Sequence, residues 1–303
     1  MIKYPFFMIE YIDRKKGTLC TEKVYGAKAL KLLYGEGVLT KIFSYSLLLF
    51  LTRIPFCSHV YGFFQKTASS RSKIIPFIQA FQIDSSEFQK QTFSSFNDFF
   101  IRKLKPESRP IDPHLNRIVM PADGRYLVYP TFDRFFVKGQ EFILQSFLQS
   151  KDLEARYLHG SMVIARLCPV DYHRFHFPCD GIPSKPHLIN GHLSSVNPIA
   201  LKKRISILSE NKRVITKIQT ELFGQIAYVE IGATSVGTIQ QTFPLDQSVQ
   251  KGDEKGYFEF GGSCLVLFFE PGKMTFDPDL IENTKRGLET LCLMGSSLGM
   301  KKE

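Results

Sequence analysis

The stretch Gly256-Tyr-Phe-Glu-Phe-Gly-Gly-Ser-Cys-Leu-Val-Leu-Phe-Phe269 sets a Gly-Gly-Ser step inside what reads as one buried pair of β-strands. Glycines weaken a strand, so the pair marks a place where the backbone bends, strains or is closely approached. Two readings of Ser263 fit the local pattern. One is a small polar residue at a β-bulge. The other is a hydroxyl that attacks the carbonyl of Gly262, which glycine leaves unshielded. Pro121-Ala-Asp-Gly-Arg125 puts a carboxylate in a tight turn, ordinarily turn chemistry alone. Asp171-Tyr-His-Arg-Phe-His-Phe-Pro178 gathers two of the seven histidines, an arginine, a carboxylate and three aromatics just behind a strand. In an extended segment His173 and His176 face opposite sides, whereas a turn lets them converge. A carboxylate that orients an imidazole, and an imidazole that takes a hydroxyl proton, are the parts that activate a serine. Asp123, His176 and Ser263 are the candidates for those parts. Ser296, in Met294-Gly-Ser-Ser-Leu-Gly299, competes with Ser263. It lacks flanking β pattern, and a cut there would release only a short tail, so Ser263 is preferred.

The elements that must carry these residues change character along the chain. Met8 to Tyr25 reads as two strands around a charged turn ending at Gly17. Helices are predicted over residues 27–34, 73–83 and 94–104, the last two with serine-rich starts. After Pro106 and Pro110 the pattern turns to short strands over 125–129, 135–138, 161–167, 226–231 and 236–240, and the pair around Gly262. The spacing predicts an α+β chain with a boundary near residue 105: a hairpin and helical membrane-associating region over 1–105, then a β-rich catalytic domain over 106–303.

Composition narrows the class. With 303 residues, 44% of them hydrophobic, 28 Phe and no Trp, the chain is globular. A net charge of +10 points to an anionic partner, either nucleic acid or an acidic lipid surface. Basic residues are spread along the chain without a recognised nucleic-acid motif, which favours lipid. The six cysteines show neither a C-x-x-C pair nor zinc spacing, so no metal is expected, and their dispersal suits a reducing compartment. Glu10 and Asp13 interrupt the short apolar N-terminal patch, which therefore does not read as a signal peptide. Residues 42–52 form an uncharged run of eleven, against the roughly 20 that a bilayer-spanning helix needs. It reads either as a buried core helix or as a helix lying in the membrane interface. The aromatics Phe56, Tyr61, Phe63 and Phe64, and nine Lys/Arg against four Asp/Glu in residues 1–53, favour the interface.

Taken together, these stretches resemble the phosphatidylserine decarboxylase proenzymes of the variety with an F-G-G-S rather than an L-G-S-T processing site. The likeness runs nearly end to end. It takes in Tyr11-Ile-Asp-Arg with Glu22-Lys-Val-Tyr-Gly, and Phe96-Asn-Asp-Phe-Phe-Ile-Arg-Lys-Leu-Lys-Pro106. Pro121-Ala-Asp-Gly124, Asp171-Tyr-His-Arg-x-His-x-Pro178 and Ser195-Val-Asn-Pro198 follow. Gly232-Ala-Thr-Ser-Val-Gly237 and Gly256-Tyr-Phe-Glu-Phe-Gly-Gly-Ser263 complete it.

The resemblance implies self-cleavage between Gly262 and Ser263, with Asp123 and His176 as the activating pair and Ser263 as nucleophile. A large subunit (1–262) and a small one (263–303) would remain as a heterodimer, and Ser263 would end as a covalent pyruvoyl group. That group is expected to form a Schiff base with the serine headgroup of phosphatidylserine and to accept the electrons left by CO2, giving phosphatidylethanolamine. His173 is the expected acid that returns the proton. Cys264 stands where the family usually has Thr or Ser. The expected location is peripheral, on an anionic membrane surface at the cytoplasmic face of the cell membrane, with no nucleic-acid partner. The alternative, a Ser-His-Asp lipid hydrolase, would keep its chain whole and usually show a G-x-S-x-G elbow, which the sequence lacks.

Overall fold

The computed structural model describes residues 9–23, 62–131, 135–137, 140–233 and 238–302. The helix expected over 27–34, the apolar run 42–52 and residues 234–237 lie outside that set, as does part of the strand expected over 236–240.

A ten-stranded sheet organises the chain. In spatial order its main path runs His187–Ile189, Arg213–Gln219, Gln225–Gly232, Ser263–Phe269, Ser161–Leu167, Gly124–Tyr129, Glu289–Cys292, Glu10–Asp13 and Thr18–Thr21, with Ile182–Pro183 added beside Arg213–Gln219. Neighbours are antiparallel except Glu10–Asp13, which lies parallel to Glu289–Cys292. The opening hairpin, grouped by sequence pattern with the helical front, thus extends the catalytic sheet. Its turn closes at Gly17, whose φ of +66° suits glycine.

Every residue of Ser263–Phe269 is buried, because both faces of this strand are covered. Alternation sends Cys264, Val266 and Phe268 into a core shared with Phe147, Tyr157, Leu201 and Leu208 of the short helices on one face. Leu265, Leu267 and Phe269 enter the opposite core with Phe175, Phe258 and Leu298, which come from two three-stranded sheets packed beneath. One of those small sheets contains Arg174–His176, Glu254–Phe258 and Ile239–Gln241.

The strands on either side of the Gly-Gly-Ser step do not pair with each other. Glu254–Phe258 is the middle strand of the small sheet and Ser263–Phe269 belongs to the large one. Residues 259–262 therefore form a crossover between sheets in place of a bulge, and Gly261 sits at φ +146°.

The helical front contributes its own core. Ile74–Phe81 and Phe96–Phe100 bring together Ile74, Phe77, Phe88, Phe93, Phe96, Phe99 and Phe100, largely edge-to-face, and the cluster also takes in Phe260 from the crossover. Ser95 caps the second helix by accepting the Asp98 N–H at 3.1 Å. That helix is shorter than the expected 94–104. The guanidinium of Arg102 leaves the helical path to lie on the Phe88 and Phe99 rings and to donate to the carbonyls of Val170 and Asp171.

A close approach between strands in the small sheet falls at Gly256, where an added Cβ would lie 2.0 Å from the Gln240 carbonyl oxygen and 2.8 Å from the Phe175 ring. Gly256→Ala should therefore destabilise the fold by about 1–3 kcal/mol, the range for overpacked interiors, as read from denaturant midpoints. An unchanged midpoint would show that the sheets can separate at no cost.

Candidate functional site

Ser263 is the first residue of its strand, held in register between Gly232 and Leu167, and its side chain is buried. Its Oγ lies 3.3 Å from His173 Nδ1. On the far side of the ring, His173 Nε2 lies 2.8 Å from the carbonyl oxygen of Cys168. A carbonyl only accepts, so Nε2 carries the proton and donates it there, leaving Nδ1 with a lone pair for the Ser263 hydroxyl. The imidazole stacks on Phe100 with centroids 3.9 Å apart and planes 26° from parallel. Burial pushes its pKa from 6.5 down to about 3; the bond to Cys168 opposes the shift, and the Arg102 and Arg125 charges add to it. His173 is therefore neutral at physiological pH.

The Cys168–His173 turn is clamped from below. Asp171 accepts the Cys168 N–H at 2.6 Å, and its own N–H donates to the Cys168 carbonyl at 2.9 Å. Arg125 pairs with Asp171 and lies over the Tyr11 ring. Arg166 binds Glu22 at 2.7 Å and Glu289 at 2.6 Å, and donates to Cys168 Sγ. These charges are buried, and their mutual pairing is what makes burial tolerable. The opening segments that contain Tyr11 and Glu22 thus act as footings for the histidine turn.

Asp123 and His176 stand apart from this contact. Asp123 takes two hydrogen-bonding nitrogens of Arg109, at 2.9 and 2.6 Å, and the Met294 N–H at 2.9 Å. Arg109 also reaches Glu87. Burial raises the Asp123 carboxyl above its usual range while Arg109 pulls it back. His176 lies in the strand Arg174–His176, its Nδ1 donating to the Gly252 carbonyl at 2.9 Å, and its buried Nε2 has no partner among the described residues. Burial lowers its pKa, opposed by the Gly252 bond and by the Glu254 and Asp123 charges. Of the two histidines, then, His173 meets Ser263. His176 and Asp123, the pair expected to activate it, are close enough to interact electrostatically but do not touch the hydroxyl in this arrangement.

Ser296 is turned to other work: its hydroxyl donates to the Leu293 carbonyl at 2.6 Å, inside the turn that presents Met294 N to Asp123. Cys264 packs on the sheet face opposite Ser263, with Val196 and Ala233. Sequence pattern gave no warning of Phe100, Arg109 or the Cys168 carbonyl. Phe100 stands in a recognisable motif, yet nothing in a run of phenylalanines says which ring will stack on an imidazole.

The phosphatidylserine decarboxylase family model matches residues 96–299. A phosphatidylserine decarboxylase proenzyme of Chlamydia pneumoniae is 46% identical over 295 residues, covering 96% of each chain. One of Fusobacterium nucleatum is 45% identical over 302 residues, covering 98% of this chain and 99% of its own. Another, of Chlamydia caviae, is 46% identical over 300 residues.

Because the folded pKa of His173 lies below its unfolded value, the native state refuses a proton that the unfolded chain accepts. The stability this difference reflects is complete above about pH 6.5 and is lost progressively down to about pH 3. In an uncut Ser263→Ala background, unfolding free energy should fall by up to about 1.4 kcal/mol per pH unit from this one group. His173→Gln should flatten that slope in denaturant titrations at stepped pH. An unaltered slope would mean that His173 titrates normally and is not the buried neutral group described.

Proposed function

The chain belongs to the phosphatidylserine decarboxylase family, and from that we propose that it cuts itself between Gly262 and Ser263 and then converts phosphatidylserine to phosphatidylethanolamine and CO2. The observation that carries the cleavage is the Ser263 hydroxyl facing the one available lone pair of a neutral imidazole, at the head of a buried strand. Glycine at position 262 supports it. An added Cβ there would sit at ordinary contact distance, 3.7 Å from Ala233 Cβ and 3.8 Å from Val196 Cγ2, so packing alone does not demand glycine. What glycine offers is an open carbonyl.

In the proposed sequence, Ser263 Oγ bonds to the carbonyl carbon of Gly262 as His173 Nδ1 takes the hydroxyl proton. The C–N bond breaks, the proton passes to the departing nitrogen, and an ester joins Gly262 to the Ser263 side chain. The freed Nδ1 of His173 takes the Ser263 Cα proton, and the electron pair left on Cα expels the Gly262 carboxylate from Cβ, leaving a Cα–Cβ double bond. Water then replaces the nitrogen, which leaves as ammonia, and a pyruvoyl group heads the small subunit. A base with a pKa of about 3 is weak, so the step is expected to be slow. Burial of Ser263 keeps bulk water from the ester and so favours elimination over hydrolysis.

The group fits its surroundings, since Ser263 supplies its carbons and the Nδ1 of His173, whose ring is backed by Phe100, adjoins it. When present it supplies the sink for the electrons left by departing CO2. His173 is the side chain that faces position 263, and its bare Nδ1 must first take up a proton there before it can return one. Family resemblance gives the activating role in cleavage to His176 with Asp123; the geometry of the uncut chain favours His173 for it. The two fragments would stay joined, because residues 263–269 pair with 161–167 and 226–232 of the large fragment.

Membrane association is proposed to be peripheral, at the cytoplasmic face. Among the described residues no helix is long and apolar enough to cross a membrane. In the helical front Phe63, Phe64 and Ile75 are exposed, as are Arg71 and Lys73 close by in sequence, a combination of apolar and basic groups suited to an anionic lipid surface.

Purified protein should run as two chains on a denaturing gel, with a pyruvoyl mass at position 263, and as one complex under native conditions. Ser263→Ala should stay whole. His173→Ala should block cleavage on the geometric reading, whereas cleavage lost only in His176→Ala would return the activating role to that residue. Phe63→Asp with Phe64→Asp should weaken binding to phosphatidylglycerol vesicles without stopping cleavage; undiminished binding would remove this face from the membrane.

A further inference from the structure

We propose that Asn97 is a positioning residue for self-cleavage, fixing the path by which the chain enters the Gly262–Ser263 bond. This rests on the cleavage reading above and names a residue that it leaves out. The Asn97 side-chain oxygen accepts the backbone N–H of Phe260 at 2.9 Å, in a buried contact between residues 163 positions apart.

The place of that bond in the crossover gives it its importance. The Phe258 N–H donates to the His173 carbonyl and the Glu259 N–H to the Thr238 carbonyl, closing the small sheet. Ser263 opens the ladder of the large one. Between them Phe260 is held by a side chain, and next comes Gly261 at φ +146°, with no side chain of its own to limit its rotation. An anchor immediately before such a glycine restricts where the Gly262 carbonyl points.

The helix that supplies this anchor also holds the proton acceptor. Phe100, one turn along from Asn97, stacks on His173 at 3.9 Å and packs against Phe260 at 5.0 Å, and Phe96 packs on Phe260 at 5.2 Å. One short helix, Phe96–Phe100, thus sets the imidazole and the segment bearing the scissile carbonyl relative to each other. Its placement is secured in turn by Ser70, whose Oγ accepts the Phe96 N–H at 2.8 Å. Misplacing reacting atoms by an ångström costs on the order of 100-fold in rate, so a lost anchor should appear in the rate of cleavage.

The test follows full-length chains made by cell-free translation, sampled over time on denaturing gels. Asn97→Leu keeps approximate size but removes the acceptor, and should slow cleavage by about 10- to 100-fold. Asn97→Asp retains an oxygen for the Phe260 N–H and should restore the rate to within a few-fold of wild type. Melting temperatures are measured in parallel with each change in a Ser263→Ala background, where no chain is cut. Slowing by Asn97→Leu with a nearly unchanged melting temperature, together with rescue by Asn97→Asp, supports the proposal. Wild-type cleavage rate in Asn97→Leu, slowing that only tracks lost stability, or failure of Asn97→Asp to rescue would overturn it while leaving the cleavage reading intact. A wild-type chain that is never cut at Gly262–Ser263 would overturn both.

Discussion

A backbone carbonyl can accept a hydrogen bond and cannot donate one, and the site follows from that asymmetry at Cys168. With Nε2 of His173 committed to this oxygen, the ring's proton is fixed and its lone pair is presented to Ser263. The same bond sets ring orientation, which Phe100 then locks by stacking. Nothing about the serine itself makes it special. Its position does, buried at the first rung of a central strand with its hydroxyl facing the imidazole.

Holding the Cys168 carbonyl in place requires charge where charge is expensive. Asp171 straps both ends of the turn, Arg125 neutralises Asp171, and Arg166 joins Glu22 and Glu289 beside it. Removing one member of such a buried set leaves another uncompensated, a loss of about 3–5 kcal/mol. Lys255 of the small sheet and Glu230 of the large one repeat the device between the two sheets, fully buried and surrounded by Phe175, Phe177, Tyr228 and Phe243. Arg102 and Arg125 also keep positive potential near His173, which together with burial explains why the imidazole stays neutral.

How much of this could be read from the chain depends on whether a property is local. The Ser161–Leu167 strand, the Gly17 turn and the helix Ile74–Phe81 follow from periodicity and turn chemistry within a few residues. Ser263 stood out because glycines interrupt an apolar run. The two histidines were visible as a pair, but their separation into distinct contacts was not, since it depends on Cys168 and Gly252 carbonyls that any residue type would supply. The crossover at residues 259–262 was equally hidden: strand-like sequence on both sides of a break does not say whether the two strands share a sheet. Arg109 and Asn97 reveal themselves only through partners far along the chain.

The crossover is placed so that the proposed cut would leave the fold intact. A peptide bond inside a sheet is held by ladder bonds on both sides, and its ends cannot part without breaking them. The Gly262–Ser263 bond lies at the entry to the ladder, after a segment tied to the helical front and before a strand tied on both edges. Severing it costs no strand pairing. The large fragment keeps its end near the phenylalanine core through Phe260, while the small one stays in place through the strands Ser263–Phe269 and Glu289–Cys292, each flanked by strands of the other. The proposed cut thus falls where the new terminus would face the imidazole, and the two cores on either side of the sheet would keep their contacts.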